Sequence, residues 1–340
     1  MIRQLKTVLY AFGGIVVAGE VARLLLRKSR RISLEDRVVF ITGGSRGLGI
    51  VLAREFARRG ARVAVCARSE RELERVRQEF ADAGHALIAE VCDVGVRAEI
   101  ARAIEAVRHQ IGPIDILVNN AGTILVGPAE NQDTEALEDV MRTNFWGPHY
   151  AIAAVLDQMK ARRFGRIVNI ASVGGKIAFP HLLPYSASKF ALVGYSQGLR
   201  AELAKDNILV TTVCPGLMRT GSPRNAEFIG QSRKEYAWFT VSDSLPIASI
   251  GAKKAARRIV DACIHGDAEI HVGLAAKLGS LAQGLAPGAT VEALSLVNRL
   301  MPRAVSGHPV RRKGAESESP VTNTIATKLT RDAELANNQL

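Results

Sequence analysis

Aromatic residues are scarce in this chain of 340 residues: Phe, Tyr and Trp together make up 5% of it. No basic stripe with interleaved aromatics appears, so the platforms on which nucleic-acid bases stack are not expected, despite a formal net charge of +12. Part of that excess sits at one end, where residues 1–37 carry eight basic side chains against three acidic ones. Cysteine is also sparse. Cys66, Cys92, Cys214 and Cys263 stand far apart with no CxxC pair, which argues against a disulfide framework and for buried, reduced thiols. The seven histidines show no HxxxH or HExxH spacing, so no metal site is expected.

Long uncharged runs are likewise few. Val8–Gly19 holds twelve residues without a charge, and the apolar stretch continues through Glu20 and Arg23 to Leu26. As a helix, residues 8–26 would reach about 28 Å, close to a hydrocarbon core of about 30 Å. Glu20 opposes insertion, whereas Arg27, Lys28, Arg30 and Arg31 would hold the remainder of the chain on the cytoplasmic side. Three readings stand: a membrane anchor, an interfacial or domain-packing helix, and a cleaved signal peptide.

What the chain does have, from Arg37 onward, is alternation. Seven β-branched runs, "RVVFI", "RVAVCA", "ALIAEV", "IDILVN", "GRIVNIAS", "ILVTTVCP" and "AEIHVG", are separated by helical segments near residues 48–59, 70–83, 96–110, 134–162, 185–204 and 251–264. None of the runs alternates polar with apolar, as expected of strands buried on both faces of a parallel sheet. The pattern predicts an α/β fold with a doubly wound parallel sheet of about seven strands and helices on both faces, over residues 35–275. Residues 1–34 form a hydrophobic and basic amino-terminal segment, 276–303 a helical extension, and 304–340, rich in Ser, Pro, Thr, Asn and charge, a tail expected to be disordered.

The stretch "TGGSRGLG", Thr42–Gly49, follows the first run where a strand should hand over to a helix. Glycine there permits positive φ and close approach of a ligand, and a helix amino terminus offers free N–H groups to a diphosphate. Tyr185 and Lys189 stand one helical turn apart, so an ammonium could lower the pKa of the phenol and make it a usable proton carrier.

These motifs, together with "NNAG" at Asn119–Gly122, "IAS" ending at Ser172, "MRTNFWG" around Asn144 and "PGLMRT" at Pro215–Thr220, resemble the short-chain dehydrogenase/reductase family over about residues 36–275. The resemblance implies a Rossmann fold and a catalytic set of Asn144, Ser172, Tyr185 and Lys189. Ser172 would bind the carbonyl oxygen, Lys189 the nicotinamide ribose, and Asn144 a relaying water. Cofactor binding would fall to Thr42, Gly43, Ser45, Arg46, Gly47, Leu48, Gly49, Arg68, Asp93, Val94, Asn120, Ala121, Gly122, Pro215, Gly216 and Thr220, with Tyr185 and Lys189. Arg68 stands at the end of the second strand, where an acid would bind the ribose hydroxyl of NAD(H), and Arg46 adds a second guanidinium. NADP(H) is therefore expected over NAD(H).

The segment Met218–Ile247 corresponds to the family's variable substrate lid, and Phe228, Tyr236, Trp238 and Phe239 are candidate walls of an apolar pocket. Phe179 and His181 either line that pocket or pack a loop, and Arg219 and Arg224 could meet a phosphate. The function so implied is an NADP(H)-dependent oxidoreductase interconverting a carbonyl and an alcohol on an apolar substrate. A 3-oxoacyl thioester reductase and a catalytically silent NADP(H)-sensing protein are the alternatives. A homodimer or homotetramer, a cytoplasmic catalytic domain and a membrane attachment through residues 8–26 complete the expectation.

Overall fold

The computed structural model describes residues 19, 21, 24–245, 249–307, 309–324 and 327–339. Most of the apolar stretch 8–26 therefore lies outside the described residues. Among those described, no helix is long and apolar enough to cross a membrane.

The chain runs β1 (Val38–Thr42), α1 (Gly47–Ala57), β2 (Arg62–Ala67), α2 (Glu70–Asp82), β3 (Leu87–Val91), α3 (Arg97–Ile111) and β4 (Ile116–Asn119). A short β5 (Leu125–Val126) leads to α4 (Thr134–Met141), α5 (Gly147–Arg162), β6 (Gly165–Ile170), α6 (Leu183–Leu203) and β7 (Ile208–Pro215). The lid region holds β8 (Leu217–Arg219), β9 (Glu227–Phe228), α7 (Ser232–Ser244) and β10 (Ser249–Gly251), before α8 (Ala252–His265) and β11 (Glu269–Val272) complete the sheet. Then come α9 (Leu274–Leu285), α10 (Pro287–Asn298), β12 (Arg312–Lys313) and α11 (Lys328–Ala336).

Seven strands form one parallel sheet in the order β3-β2-β1-β4-β6-β7-β11. Its strands bury both faces. In β1, Val39 and Ile41 join a core with Ile50, Phe56, Val65 and Ile259, while Val38 and Phe40 join the opposite core with Ile100, Ile104, Ile152 and Val155. This double burial accounts for strands that read as unbroken apolar runs. It also fixes the ligand crevice at the carboxyl ends of the strands, where the order reverses between β1 and β4.

Two sequence expectations change. The helix expected over 134–162 is interrupted at Arg142–Trp146 by a π-helical segment, which carries Asn144. The tail expected to be disordered over 304–340 instead contains β12 and α11 among its described residues, with Thr330, Glu334, Asn337 and Gln339 buried. Its order comes from docking on a surface already formed: Thr330 shares a hydrogen bond of 2.6 Å with Ser244 of α7, and β12 pairs antiparallel with β9.

Candidate active site

The handover from β1 to α1 is shaped by backbone space. Gly43 and Gly47 have φ of +64° and +59°, and a Cβ on Gly49 would lie 2.0 Å from the carbonyl oxygen of Gly43. Only glycine fits at position 49. Thr42 is buried beneath the turn, where its hydroxyl oxygen accepts the backbone N–H groups of Asn120 and Ala121 at 3.0 and 3.1 Å. Asn120 Nδ2 in turn donates to the carbonyls of Thr42 and Gly43, both at 3.0 Å. The expected "NNAG" segment thus braces the glycine turn from β4.

At the end of β2, Arg68 faces the same cleft and pairs with no acidic side chain among the described residues. Arg46 also lines the cleft, its guanidinium paired with Glu72 at 3.0 Å, and Ser45 Oγ donates to the same carboxylate at 2.6 Å. Asp93 lines the cleft too, with its carboxylate accepting the N–H of Gly95 at 2.9 Å.

The catalytic candidates converge at the other end. Ser172 caps a short turn, and its Oγ accepts the N–H of Gly174 at 2.9 Å. A Cβ on Gly174 would lie 3.1 Å from Tyr185 Cε1, so the absence of a side chain there leaves room for the ring. Tyr185 and Lys189 share one face of α6, with Lys189 Nζ 5.7 Å from the centre of the tyrosine ring. Lys189 Nζ donates to the carbonyl of Ile170 at 2.9 Å. Burial pushes the Tyr185 phenol above its ordinary value, opposed by a hydrogen bond with Ser172. Burial also brings Lys189 down to about 8. Desolvation thus outweighs the expected lowering of the phenol by the lysine.

Asn144, fully buried, is pinned by three bonds: its Oδ1 accepts Thr123 N–H at 2.8 Å, and its Nδ2 donates to the Thr123 carbonyl and to Ser188 Oγ, both at 3.0 Å. A Cβ on Gly122 would stand 3.2 Å from Asn144 Oδ1 and 3.6 Å from Lys189 Nζ, which places the three groups around one point. A π-helical turn at such a position matches the tendency of π-bulges to occur at functional sites.

A single cavity of about 970 Å³ joins these groups. Of the expected site residues, Thr42, Gly49 and Asn144 lie behind its wall, and all the others line it. Phe179, Trp238 and Phe239 line it as well, whereas Phe228 and Tyr236 pack behind, their rings 5.3 Å apart. His181 is not a wall residue; it is buried against Glu235 at 2.9 Å, and Glu235 also accepts Trp238 Nε1–H at 2.7 Å, fixing that indole. Arg219 and Arg224 are likewise spent on packing, against Ser249 and Glu318. Sequence reasoning missed the roof, which includes Leu294, Val297, Met301, Arg311, Lys313 and Gln339. Only the apolar spacing of Leu294, Val297 and Met301 hints at it.

Cys214, Glu269 and His271 bring ligand-type atoms within 4.8 Å of one another. A cation there would have to displace Lys176 from Glu269, where it sits at 2.8 Å, and ionise a thiol that burial pushes up to about 12.

The family model for short chain dehydrogenases matches residues 37–227. The chain belongs to the short-chain dehydrogenase family. It is similar to a "Putative ketoacyl reductase" of Streptomyces coelicolor, 41% identical over 188 residues that cover 55% of this chain and 72% of the relative. A longer match, 29% identical over 287 residues and covering 84% of this chain and 90% of the relative, is to a 17-beta-hydroxysteroid dehydrogenase 13 of Rattus norvegicus. Among solved structures, an actinorhodin polyketide ketoreductase variant with NADPH superposes with a TM-score of 0.63 at 33% identity, covering 72% of this chain and 97% of that one. As a short-chain dehydrogenase, the chain is an oxidoreductase with a Rossmann-type nucleotide-binding fold.

Proposed function

We propose that the protein reduces a carbonyl group on an apolar substrate with NADPH, by way of Tyr185. The observation that carries this reading is the convergence of Ser172, Tyr185 and Lys189 in one cavity with the glycine turn and with Arg68, which has no acidic partner among the described residues. The turn fits a dinucleotide diphosphate, since Gly43 and Gly47 take positive φ where α1 begins and line the cavity, and Arg68 fits a 2′-phosphate.

NADPH supplies a hydride when bound. The residues of the chain do the rest. Ser172 Oγ orients the substrate carbonyl and hydrogen-bonds its oxygen where charge develops. The Tyr185 phenol delivers its proton to that oxygen. Lys189 and Asn144 hold the point from which the phenol is reprotonated, and Trp238 and Phe239 exclude water from the reacting end.

A second, narrower reading is a 3-oxoacyl thioester reductase, favoured by the ketoacyl reductase and polyketide ketoreductase named above. NADPH consumption with a panel of steroid and alkyl ketones beside 3-oxoacyl thioesters separates the two. Turnover of apolar ketones supports the broader reading, turnover restricted to thioesters the narrower one, and cofactor binding with no turnover of any carbonyl would leave an NADP(H)-sensing protein.

We also infer a homodimer through α5 and α6, because Trp146, just before α5, and Phe190 of α6 are 44% and 43% exposed. Light scattering tests it, and a monomer would refute it. Membrane attachment of a cytoplasmic catalytic domain through residues 8–26 belongs to the same reading. Fractionation of cells expressing the full chain and a chain lacking residues 1–30 tests that part; a wholly soluble full chain would contradict it.

A further inference from the structure

Residues Asn337–Gln339 lie on the anion-binding end of the glycine turn. The carbonyl of Asn337 accepts the N–H of Gly47, the first residue of α1, at 2.8 Å. Asn338 Nδ2 donates to the carbonyl of Ser45 at 2.8 Å. Gln339 Nε2 donates to the carbonyl of Thr220 at 3.2 Å, and its Oε1 accepts Asn225 Nδ2–H at 2.7 Å. A Cβ on Gly47 would lie 2.7 Å from Gln339 Nε2, so the contact is close. Helix α11 carries these residues there, tied by Arg54 Nη1 to the carbonyl of Ala336 at 3.1 Å and by Thr330 to Ser244.

Ser45, Gly47 and Thr220 are residues on which cofactor binding was expected to rest. The Gly47 N–H has one proton to give, and the tail carbonyl takes it. A clasp over a bound diphosphate would leave that donor free and turn its own amides toward the anion; here the tail presents an acceptor to the turn, and the Asn338 amide is directed at the backbone of Ser45. We propose that Asn337–Gln339 is a built-in competitor for the dinucleotide, closing the glycine turn in the resting protein and leaving it when the cofactor binds. The inference rests on the cofactor reading given under Proposed function.

The direction of exchange follows from charge. A helix amino terminus favours an anion, and the tail residue that meets it, Asn337, offers a neutral carbonyl. The cofactor therefore wins at sufficient concentration, and the tail sets the threshold. If the tail is away in about one molecule in ten, the apparent Kd is about tenfold weaker than that of the open turn.

Fluorescence titration with NADPH tests this on three proteins: the full chain, a chain ending at Ala336, and the full chain with Asn338→Ala and Gln339→Ala. The shortened chain is expected to bind about tenfold more tightly, and the double variant to shift the same way, which keeps the test available should truncation impair folding. Hydrogen exchange in residues 328–336 of the full chain should speed up on saturation with NADPH, the opposite of the usual protection by ligand. Equal affinities, or weaker binding by the shortened chain, with slowed exchange in 328–336, would overturn the competitor while leaving the cofactor reading intact. No NADPH binding by any of the three would overturn the cofactor reading and the competition with it.

Discussion

The central sheet and the segment after β11 meet at one cleft but hold their shapes by different means. The sheet is secured by apolar burial on both faces, with Val39, Phe40, Ile41 and their neighbours inaccessible to solvent. The carboxyl-terminal segment leaves Leu274, Leu285, Leu300 and Val310 at least 70% exposed and is fixed at its far end by buried polar groups such as Thr330, Asn337 and Gln339. The first kind of order makes a rigid frame for chemistry, because displacing one strand would expose apolar surface on both sides. The second kind can be exchanged, since water or a ligand can satisfy hydrogen bonds that the tail gives up.

Breaking the frame's chemistry should have the largest effect. Tyr185→Phe removes the proposed proton donor and is expected to lower kcat by about 10²–10⁴-fold while leaving the Kd for NADPH unchanged. Retention of near-full turnover would remove Tyr185 from the mechanism. Gly49→Ala places a methyl group against the Gly43 carbonyl and should cost about 1–3 kcal/mol of stability, or more. A thermal melt matching the unaltered protein would show that the turn is looser than described.

Smaller shifts sharpen the comparison. Arg68→Asp should lower the preference for NADPH over NADH by roughly 10- to 100-fold, the loss of one charge-assisted contact. Titration with both cofactors checks it, and an unchanged ratio would free Arg68 of that role. At the joint between the regions, Asp243 of α7 accepts a hydrogen bond from Thr330 at 3.3 Å, and burial pushes its carboxyl up to about 7. Between about pH 4 and pH 7 the unfolded chain has released a proton that the folded one keeps, so stability falls as pH rises across that window. The slope from this group is at most about 1.4 kcal/mol per pH unit. Denaturant melts across that window should show the slope flattened in Asp243→Asn, and an unaltered slope would place the titration elsewhere.

The same contrast explains what could be read from the sequence. Doubly buried strands appear as apolar runs, and Ser172, Tyr185 and Lys189 carry their chemistry in their spacing. Asn144 was legible as a residue but not as part of a π-helical turn, because that turn depends on how α4 and α5 meet. The pairing of Arg46 with Glu72 across two elements left no local trace either. Least legible was the tail. Thr330, Asn337 and Gln339 are polar, and their side chains are held by partners more than eighty residues away, such as Ser244, Thr220 and Asn225. Its composition matched that of a disordered segment.

The proposed reduction transfers hydride directly to a carbonyl carbon beside Tyr185. It is tested most directly by running the reduction with NADPH carrying deuterium at the transferable nicotinamide position and examining the alcohol by mass spectrometry and NMR. One deuterium is expected on the carbinol carbon of the product made by the unaltered protein, with product formation all but abolished in Tyr185→Phe. Product formed without deuterium at that carbon, or formed equally well by the variant, would contradict it.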